Sequence, residues 1–185
     1  SMLERMGHTV FSHLEVADVY IINTCAVTNE AEKKSRQTIA KCKALNPNAK
    51  IMICGCASEK NANQFENIDG VTFVKGVANK QEMVNSLNEN GIKIDKNPLE
   101  YDDTYVAMPT KTRAYIKIQD GCNNFCSYCI IPYLRGRSRS RNIVSILNEV
   151  DKLSKQVKEI IITGIDVSDY KIDGEKALPF LLEKL

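Results

Sequence analysis

The 185-residue chain carries 25 Lys or Arg against 23 Asp or Glu, a net charge of +2 that names no partner by bulk electrostatics. Its 43% apolar and 26% charged residues are those of an ordinary globular protein, long enough for one or two domains with a packed core. No apolar run reaches a membrane span and no secretory signal opens the chain, so no membrane contact is expected. Seven cysteines, odd in number and locally clustered, argue against a disulfide framework and for reduced thiols in a cytoplasmic setting.

Ser1–Gly7 reads as the back half of a helix closed by glycine, and Thr9–Phe11 as a short strand. Val19–Asn23 is a β-branched strand leading into Cys25. Asn29 with Glu32 three residues on predicts a capping box, and a helix running to about Leu45, where Asn46-Pro47-Asn48 stops it. Lys50–Cys54 is the next buried strand, ending at Gly55-Cys56. Val71–Val74 predicts a strand, and Gln81–Asn90 a helix closed by Gly91. Strands alternating with helices imply a parallel sheet, with Cys25 and Cys56 at strand ends where open α/β sheets place their sites.

Residues 95–112 hold Pro98, Pro109 and a small acidic group without periodicity, and read as a linker between an α/β domain over 1–94 and a second one over 113–185. Arg113–Gln119 alternates as a strand, with Ala114, Ile116 and Ile118 on one side. Asn142 is placed to cap a helix from Ile143 to about Ser154, whose apolar face is Ile146, Leu147, Val150 and Leu153. Lys158–Gly164 is the following parallel strand, completing a βαβ unit, and Leu178–Leu185 reads as an amphipathic helix. Both chain ends look cut, so a longer parent is expected.

Between that first strand and its helix lies Cys122-Asn123-Asn124-Phe125-Cys126-Ser127-Tyr128-Cys129, a C-x3-C-x2-C run. Gly121, Asn123 and Asn124 favour a loop over a helix whose shared face would make these core cysteines. Structural zinc wants four ligands, commonly paired C-x2-C units, and no second pair follows nearby. Three thiolates from one loop suit a cubane iron–sulfur cluster with one iron left open for a small molecule.

The cysteine loop opening a βαβ series resembles the radical S-adenosylmethionine (SAM) enzymes. Asn23-Thr24-Cys25-Ala26-Val27-Thr28, Gly55-Cys56 and the loop together resemble their methylthiotransferase branch. Cys129–Arg141 and Thr163–Tyr170 are most similar to the members acting on N6-threonylcarbamoyladenosine beside the tRNA anticodon. The resemblance covers essentially the whole chain. It implies an N-terminal α/β domain whose first cluster cysteine has no counterpart here, then the first βαβ unit of a truncated, partial TIM-like barrel. An isolated chain of this kind is expected to be inactive.

By that resemblance, Cys122, Cys126 and Cys129 hold a [4Fe–4S] cluster that cleaves SAM to a deoxyadenosyl radical. Cys25 and Cys56 hold a second, auxiliary [4Fe–4S] cluster carrying sulfur. Tyr128 lies near the SAM adenine, and Gly164 and Asp166 near its methionine end. No residue is assigned as a catalytic acid or base. One SAM supplies methyl and a second the radical that activates C2 of the base. The partners implied are tRNA and an electron donor such as a flavodoxin or ferredoxin.

Other readings stand beside these. Arg135, Arg137, Arg139 and Arg141 alternate with small residues, which suits RNA phosphate contacts, a solvated loop, or neutralisation of the cluster and the SAM carboxylate. Cys54, two residues before Cys56, is a substitute ligand, whereas Cys42 reads as helix packing. His8 and His13 read as surface residues. The alternative substrates are isopentenyladenosine in tRNA or a ribosomal-protein aspartate, and the alternative class is a non-catalytic iron–sulfur or zinc module that binds RNA or passes electrons. Exposed edges of a truncated parallel barrel predict pairing into a homodimer.

Overall fold

A computed structural model describes residues 2–11, 13–78, 81–94, 98, 100–103 and 112–185. Most of the expected linker, including Pro109, lies outside the described residues. Contacts divide the chain into two compact units, Met2–Lys96 and Asn97–Leu185.

The first unit opens with α1 (Met2–Arg5), closed by Gly7, whose N–H donates to Glu4 at 3.0 Å. Thr9–Phe11 forms no strand, contrary to expectation: its three apolar or β-branched residues have no neighbouring strand to pair with. The sheet is β1 (Val19–Thr24), β2 (Lys50–Gly55), β3 (Val71–Lys75) and β4 (Gly91–Lys93), all parallel and in sequence order. Between them run α2 (Asn29–Leu45), the short α3 (Cys56–Lys60) and α4 (Asn63–Glu66), and α5 (Gln81–Asn85).

The cap of α2 is one residue earlier than its sequence suggests. Thr28 has the extended conformation of a cap, and its Oγ accepts the N–H of Ala31 at 3.2 Å. The helix expected to reach Asn90 stops at Asn85. Gly91, read as its terminator, instead starts β4 at φ +131°. β2, one of the two inner strands, is buried on both faces as parallel strands are: Met52 and Cys54 pack with Phe73 and Met83, while Ile51 and Ile53 are fully buried on the other side.

In the second unit β5 (Arg113–Lys117) pairs in parallel with β8 (Glu159–Thr163), across α7 (Ile143–Ser154). The Asn142 cap is present as expected: its Oδ1 accepts the N–H of Val144 at 2.8 Å and of Ser145 at 3.4 Å. Ala114, Ile116, Ile118, Ile146, Leu153, Tyr170 and Leu181 form the core. Between β5 and α7 the chain adds three elements that its pattern does not announce. They are β6 (Gln119–Asp120), α6 (Ile131–Arg135) and β7 (Arg139–Ser140), with β6 and β7 paired antiparallel. After β8 come a 3-10 turn (Val167–Asp169), the hairpin β9 (Lys171–Ile172) and β10 (Glu175–Lys176), and α8 (Leu178–Lys184).

Candidate iron–sulfur and SAM site

The β6–β7 hairpin is the frame from which the cysteine loop hangs. Asp120 pairs with Arg139 across it, and the N–H of Cys122 donates to Gly136 O at 3.2 Å. Gly121 makes this closure possible. It sits at φ +72°, and a Cβ there would lie 2.0 Å from Arg137 O. Within the loop, the N–H of Asn124 points at Cys122 Sγ at 3.5 Å, and the N–H of Cys129 donates to Cys126 O at 2.9 Å. Cys122 is buried, Cys129 half-buried and Cys126 exposed, all as free thiols.

Gln119 is the residue that sequence reasoning missed. It is fully buried, and its Nε2 donates to Gly121 O at 2.8 Å, Ser138 Oγ at 2.9 Å and Asp120 O at 3.0 Å. Its Oε1 accepts the N–H groups of Asp166 at 2.8 Å and Ile165 at 3.1 Å. One amide therefore ties the entrance of the cysteine loop to the turn after β8. Gly164 belongs to the same contact: a Cβ on it would meet Gln119 O at 3.0 Å. Asp166 has both carboxylate oxygens engaged, Oδ2 by Asn124 Nδ2 at 3.0 Å and Oδ1 by Ser168 Oγ at 2.6 Å. Gly164 and Asp166 are thus brought to the cysteine loop, with local partners of their own. Tyr128 projects outward, 90% exposed.

The four arginines do not form one outward comb. Arg139 is 9% exposed and donates to the carbonyls of Arg135 at 2.7 Å and Arg137 at 2.8 Å. Arg141 is 6% exposed, held by Glu149, by Asp103 at 2.6 Å and by Ser145 at 2.9 Å. The expectation of RNA contact is therefore corrected for these two, because their guanidinium groups are spent inside the fold. Arg135 is half-buried against Asp120 at 3.1 Å, and Arg137 alone of the four is exposed. Asp120 also pairs with Lys117 at 2.7 Å and Arg139 at 3.6 Å, so three cations converge on one carboxylate below the loop.

In the first unit, Asn23 pairs with Cys54 and Thr24 with Gly55 across β1 and β2, so Cys25 and Cys56 follow the same last rung. Gly55, at φ +108°, passes so close that a Cβ would lie 2.3 Å from Thr24 O. Thr24 Oγ donates to Cys54 O at 2.7 Å and accepts the N–H of Ser58 at 3.3 Å, fixing the start of α3 and with it Cys56. The N–H of Cys25 reaches Ser35 Oγ at 3.5 Å. Cys54 packs among Met52, Phe73 and Met83, and its thiol donates to Asn23 Oδ1 at 3.7 Å. Cys42 is buried on α2, where desolvation pushes its thiol pKa up, as a packing cysteine requires.

Among the described residues, no three Cys, His, Asp or Glu side chains converge into a ready metal cage. The donor chemistry nonetheless fits an iron–sulfur group. The loop supplies three soft, unoxidised thiols, and residues 97–185 contain no fourth cysteine to close the coordination sphere. Among the described residues no helix is long and apolar enough to cross a membrane.

Residues 1–76 match the model of the uncharacterized protein family UPF0004, and residues 116–184 that of the radical SAM superfamily. The threonylcarbamoyladenosine tRNA methylthiotransferase MtaB of Chlamydia pneumoniae is 39% identical over 175 residues, 91% of this chain and 39% of that protein. Its Bacillus subtilis counterpart is 37% identical over 182 residues, 93% of this chain and 40% of that protein. The tRNA-2-methylthio-N(6)-dimethylallyladenosine synthase of Thermodesulfovibrio yellowstonii is 34% identical over 181 residues, 91% of this chain and 41% of that protein. The chain thus spans about two fifths of the length of these relatives. A UPF0004 segment followed by a radical SAM segment, with relatives of this kind along nearly all of its length, means that the chain belongs to the radical SAM methylthiotransferases.

Proposed function

We propose that this chain carries the opening of the catalytic machinery of a tRNA methylthiotransferase whose substrate is N6-threonylcarbamoyladenosine next to the anticodon, modified at C2. The observation that carries the reading is the cysteine loop, anchored through Gln119 to the turn that bears Gly164 and Asp166. The names of the Chlamydia and Bacillus relatives point to this nucleoside, and that of the Thermodesulfovibrio relative to dimethylallyladenosine as the second substrate.

In this reading Cys122, Cys126 and Cys129 hold a [4Fe–4S] cluster, and Cys25 and Cys56 contribute to a second. When bound, the first cluster supplies the electron that cleaves SAM. The chain's own residues do the positioning. Gln119 fixes the loop, and the N–H of Asn124 steadies the sulfur of Cys122. Lys117, Arg135 and Arg139 gather around Asp120, which adjoins the loop through the Gly121 N–H. Tyr128 offers an open ring to the SAM adenine. An electron-donor protein and self-association through the β5–β8 edges, which pair with no further strand among the described residues, complete the proposal.

The test is anaerobic reconstitution of the full-length protein with iron and sulfide, incubation with SAM, reductant and tRNA, and mass spectrometry of the nucleosides. Appearance of 2-methylthio-N6-threonylcarbamoyladenosine supports the reading. Conversion of dimethylallyladenosine alone moves the substrate to the second relative's, and an iron-loaded enzyme that alters neither nucleoside contradicts both.

A further inference from the structure

The cysteine loop and the helix that follows it turn aromatic rings toward solvent. Phe125, between the first two loop cysteines, is 36% exposed, and Tyr133 on α6 is 68% exposed. Phe125 adopts φ +47°, a conformation disfavoured for any residue but glycine. The two rings meet edge to face, with centroids 5.4 Å apart and planes at 89°. Arg137 lies over the Phe125 ring, its Cζ 4.3 Å from the centroid. Of the four neighbouring arginines it is the exposed one. Two rings and a guanidinium plane are therefore locked together at the surface, where burial gives none of them a reason to stay.

The chemistry selects the occupant. An apolar protein segment or lipid chain would be repelled by the bare guanidinium. An unpaired nucleobase matches every part: a π face for the exposed ring of Tyr133, a cation to stack on, and a phosphate for the positive charge. We propose that Phe125, Tyr133 and Arg137 form a stacking platform for an unpaired base of an RNA loop. It is separate from Tyr128, which is left to the SAM adenine. This rests on the tRNA reading above and names the surface that receives the RNA.

The chain contains no tryptophan, so Tyr133→Trp installs a fluorophore in the platform while keeping an aromatic face. The probes are a labelled RNA hairpin with an unpaired purine loop and a blunt duplex of the same stem, titrated at matched iron content of the protein. Tyr133→Leu is expected to weaken hairpin binding about tenfold. Duplex binding and the slope of affinity against salt stay unchanged, because no phosphate contact is removed. Tyr133→Phe restores hairpin affinity, whereas Arg137→Gln lowers the salt slope by about one. Emission of Tyr133→Trp is quenched by the hairpin and not by the duplex, a signature that a packing role would not produce, and this variant carries the test if Tyr133→Leu fails to fold. Equal hairpin affinity in Tyr133→Leu and wild type, parallel loss on hairpin and duplex, or tryptophan emission indifferent to bound hairpin overturns the platform alone. A wild-type protein that binds neither RNA overturns the tRNA reading together with it.

Discussion

Gln119 and Asp166, 47 residues apart, are joined by a 2.8 Å hydrogen bond from the Asp166 N–H to the Gln119 side-chain oxygen. The nitrogen of the same amide donates to the carbonyl just before Cys122. The two ends of that amide can be separated by chemistry. Gln119→Glu keeps an acceptor for Ile165 and Asp166 but loses the donor that faces Gly121 O, Asp120 O and Ser138 Oγ. Gln119→Leu loses both. Hydrogen exchange is the measurement. In Gln119→Glu the Ile165 and Asp166 amides stay protected while the Cys122 amide, bonded to Gly136 O, exchanges faster. In Gln119→Leu all three lose protection, and unfolding stability falls by about 3 kcal/mol because buried polar groups are left unpaired. Equal protection patterns in the two variants would contradict the two-sided role.

Glu82 and Lys75 form an asymmetric pair. Lys75 is fully buried and meets Glu82 at 2.5 Å, while Glu82 has a second cation in Lys93 at 3.1 Å. Removing the carboxylate therefore strips a buried ammonium of a partner, whereas removing the lysine leaves Glu82 still paired. We expect Glu82→Gln to cost about 2–3 kcal/mol and Lys75→Met less, about 1 kcal/mol. Hydrogen bonds from Lys75 and then Lys93 hold the Glu82 carboxyl below its ordinary value. A lowered folded-state pKa means that this stabilisation is complete above the unfolded value, about 4.3, and is lost as pH falls through the folded one. Denaturation midpoints of wild type and Glu82→Gln should accordingly draw together below about pH 4. A gap that stays constant down to pH 2.5 counts against the pairing.

Asp120 gathers three cations, so its loss is predicted to matter more than the loss of any one of them. Asp120→Asn leaves Lys117, Arg135 and Arg139 crowded without their shared anion, at a cost of about 3 kcal/mol. Lys117→Met leaves two cations on the carboxylate and should cost under about 1 kcal/mol. Urea denaturation of both variants decides the order, and the reverse order would refute the arrangement.

Gly121 and Gly91 both have positive φ but differ in surroundings. A Cβ at Gly121 strikes Arg137 O at 2.0 Å, whereas one at Gly91 meets nothing within 4 Å. Gly91→Ala is expected to cost about 1–2 kcal/mol, the price of the backbone conformation alone. Gly121→Ala must also push β6 and β7 apart, and is expected to exceed about 3 kcal/mol and to expose the Cys122 thiol to alkylating reagents. Slow alkylation of Cys122 in Gly121→Ala would show that the loop closes without this close approach.

The longer elements were legible because their patterns are strong. The β-branched runs at Val19–Asn23 and Ile160–Ile162, the apolar stripe of Ile146, Val150 and Leu153, and the Asn142 cap each correspond to an observed element. What escaped is short or reversed in meaning. Helices α3, α4 and α6 have five residues or fewer, too few for a period to show. Gln119 falls on the side of β5 occupied by exposed Arg113 and Tyr115, so alternation sends it to solvent, yet it opens β6 and its side chain is enclosed between the cysteine loop and the turn after β8. Arg139 and Arg141 read as a surface charge run for the same reason. The partners of Arg141, Asp103 and Glu149, come from outside the run, as does Asp120 for Arg139, and the carbonyls that bind Arg139 carry no residue signal. The cysteine spacing pointed to a candidate ligand set, and nothing in that spacing disclosed the Gln119 amide at the entrance of the loop.

The central claim is that three thiols of one loop hold a cluster with a coordination position open to SAM. Electron paramagnetic resonance of the anaerobically reconstituted, reduced full-length protein, recorded with and without SAM, tests it most directly. To isolate the loop cluster, Cys25 and Cys56 are replaced by alanine. A [4Fe–4S] signal that changes on addition of SAM and disappears in Cys126→Ala is expected. A signal indifferent to SAM, or tightly held zinc in place of iron, would contradict it.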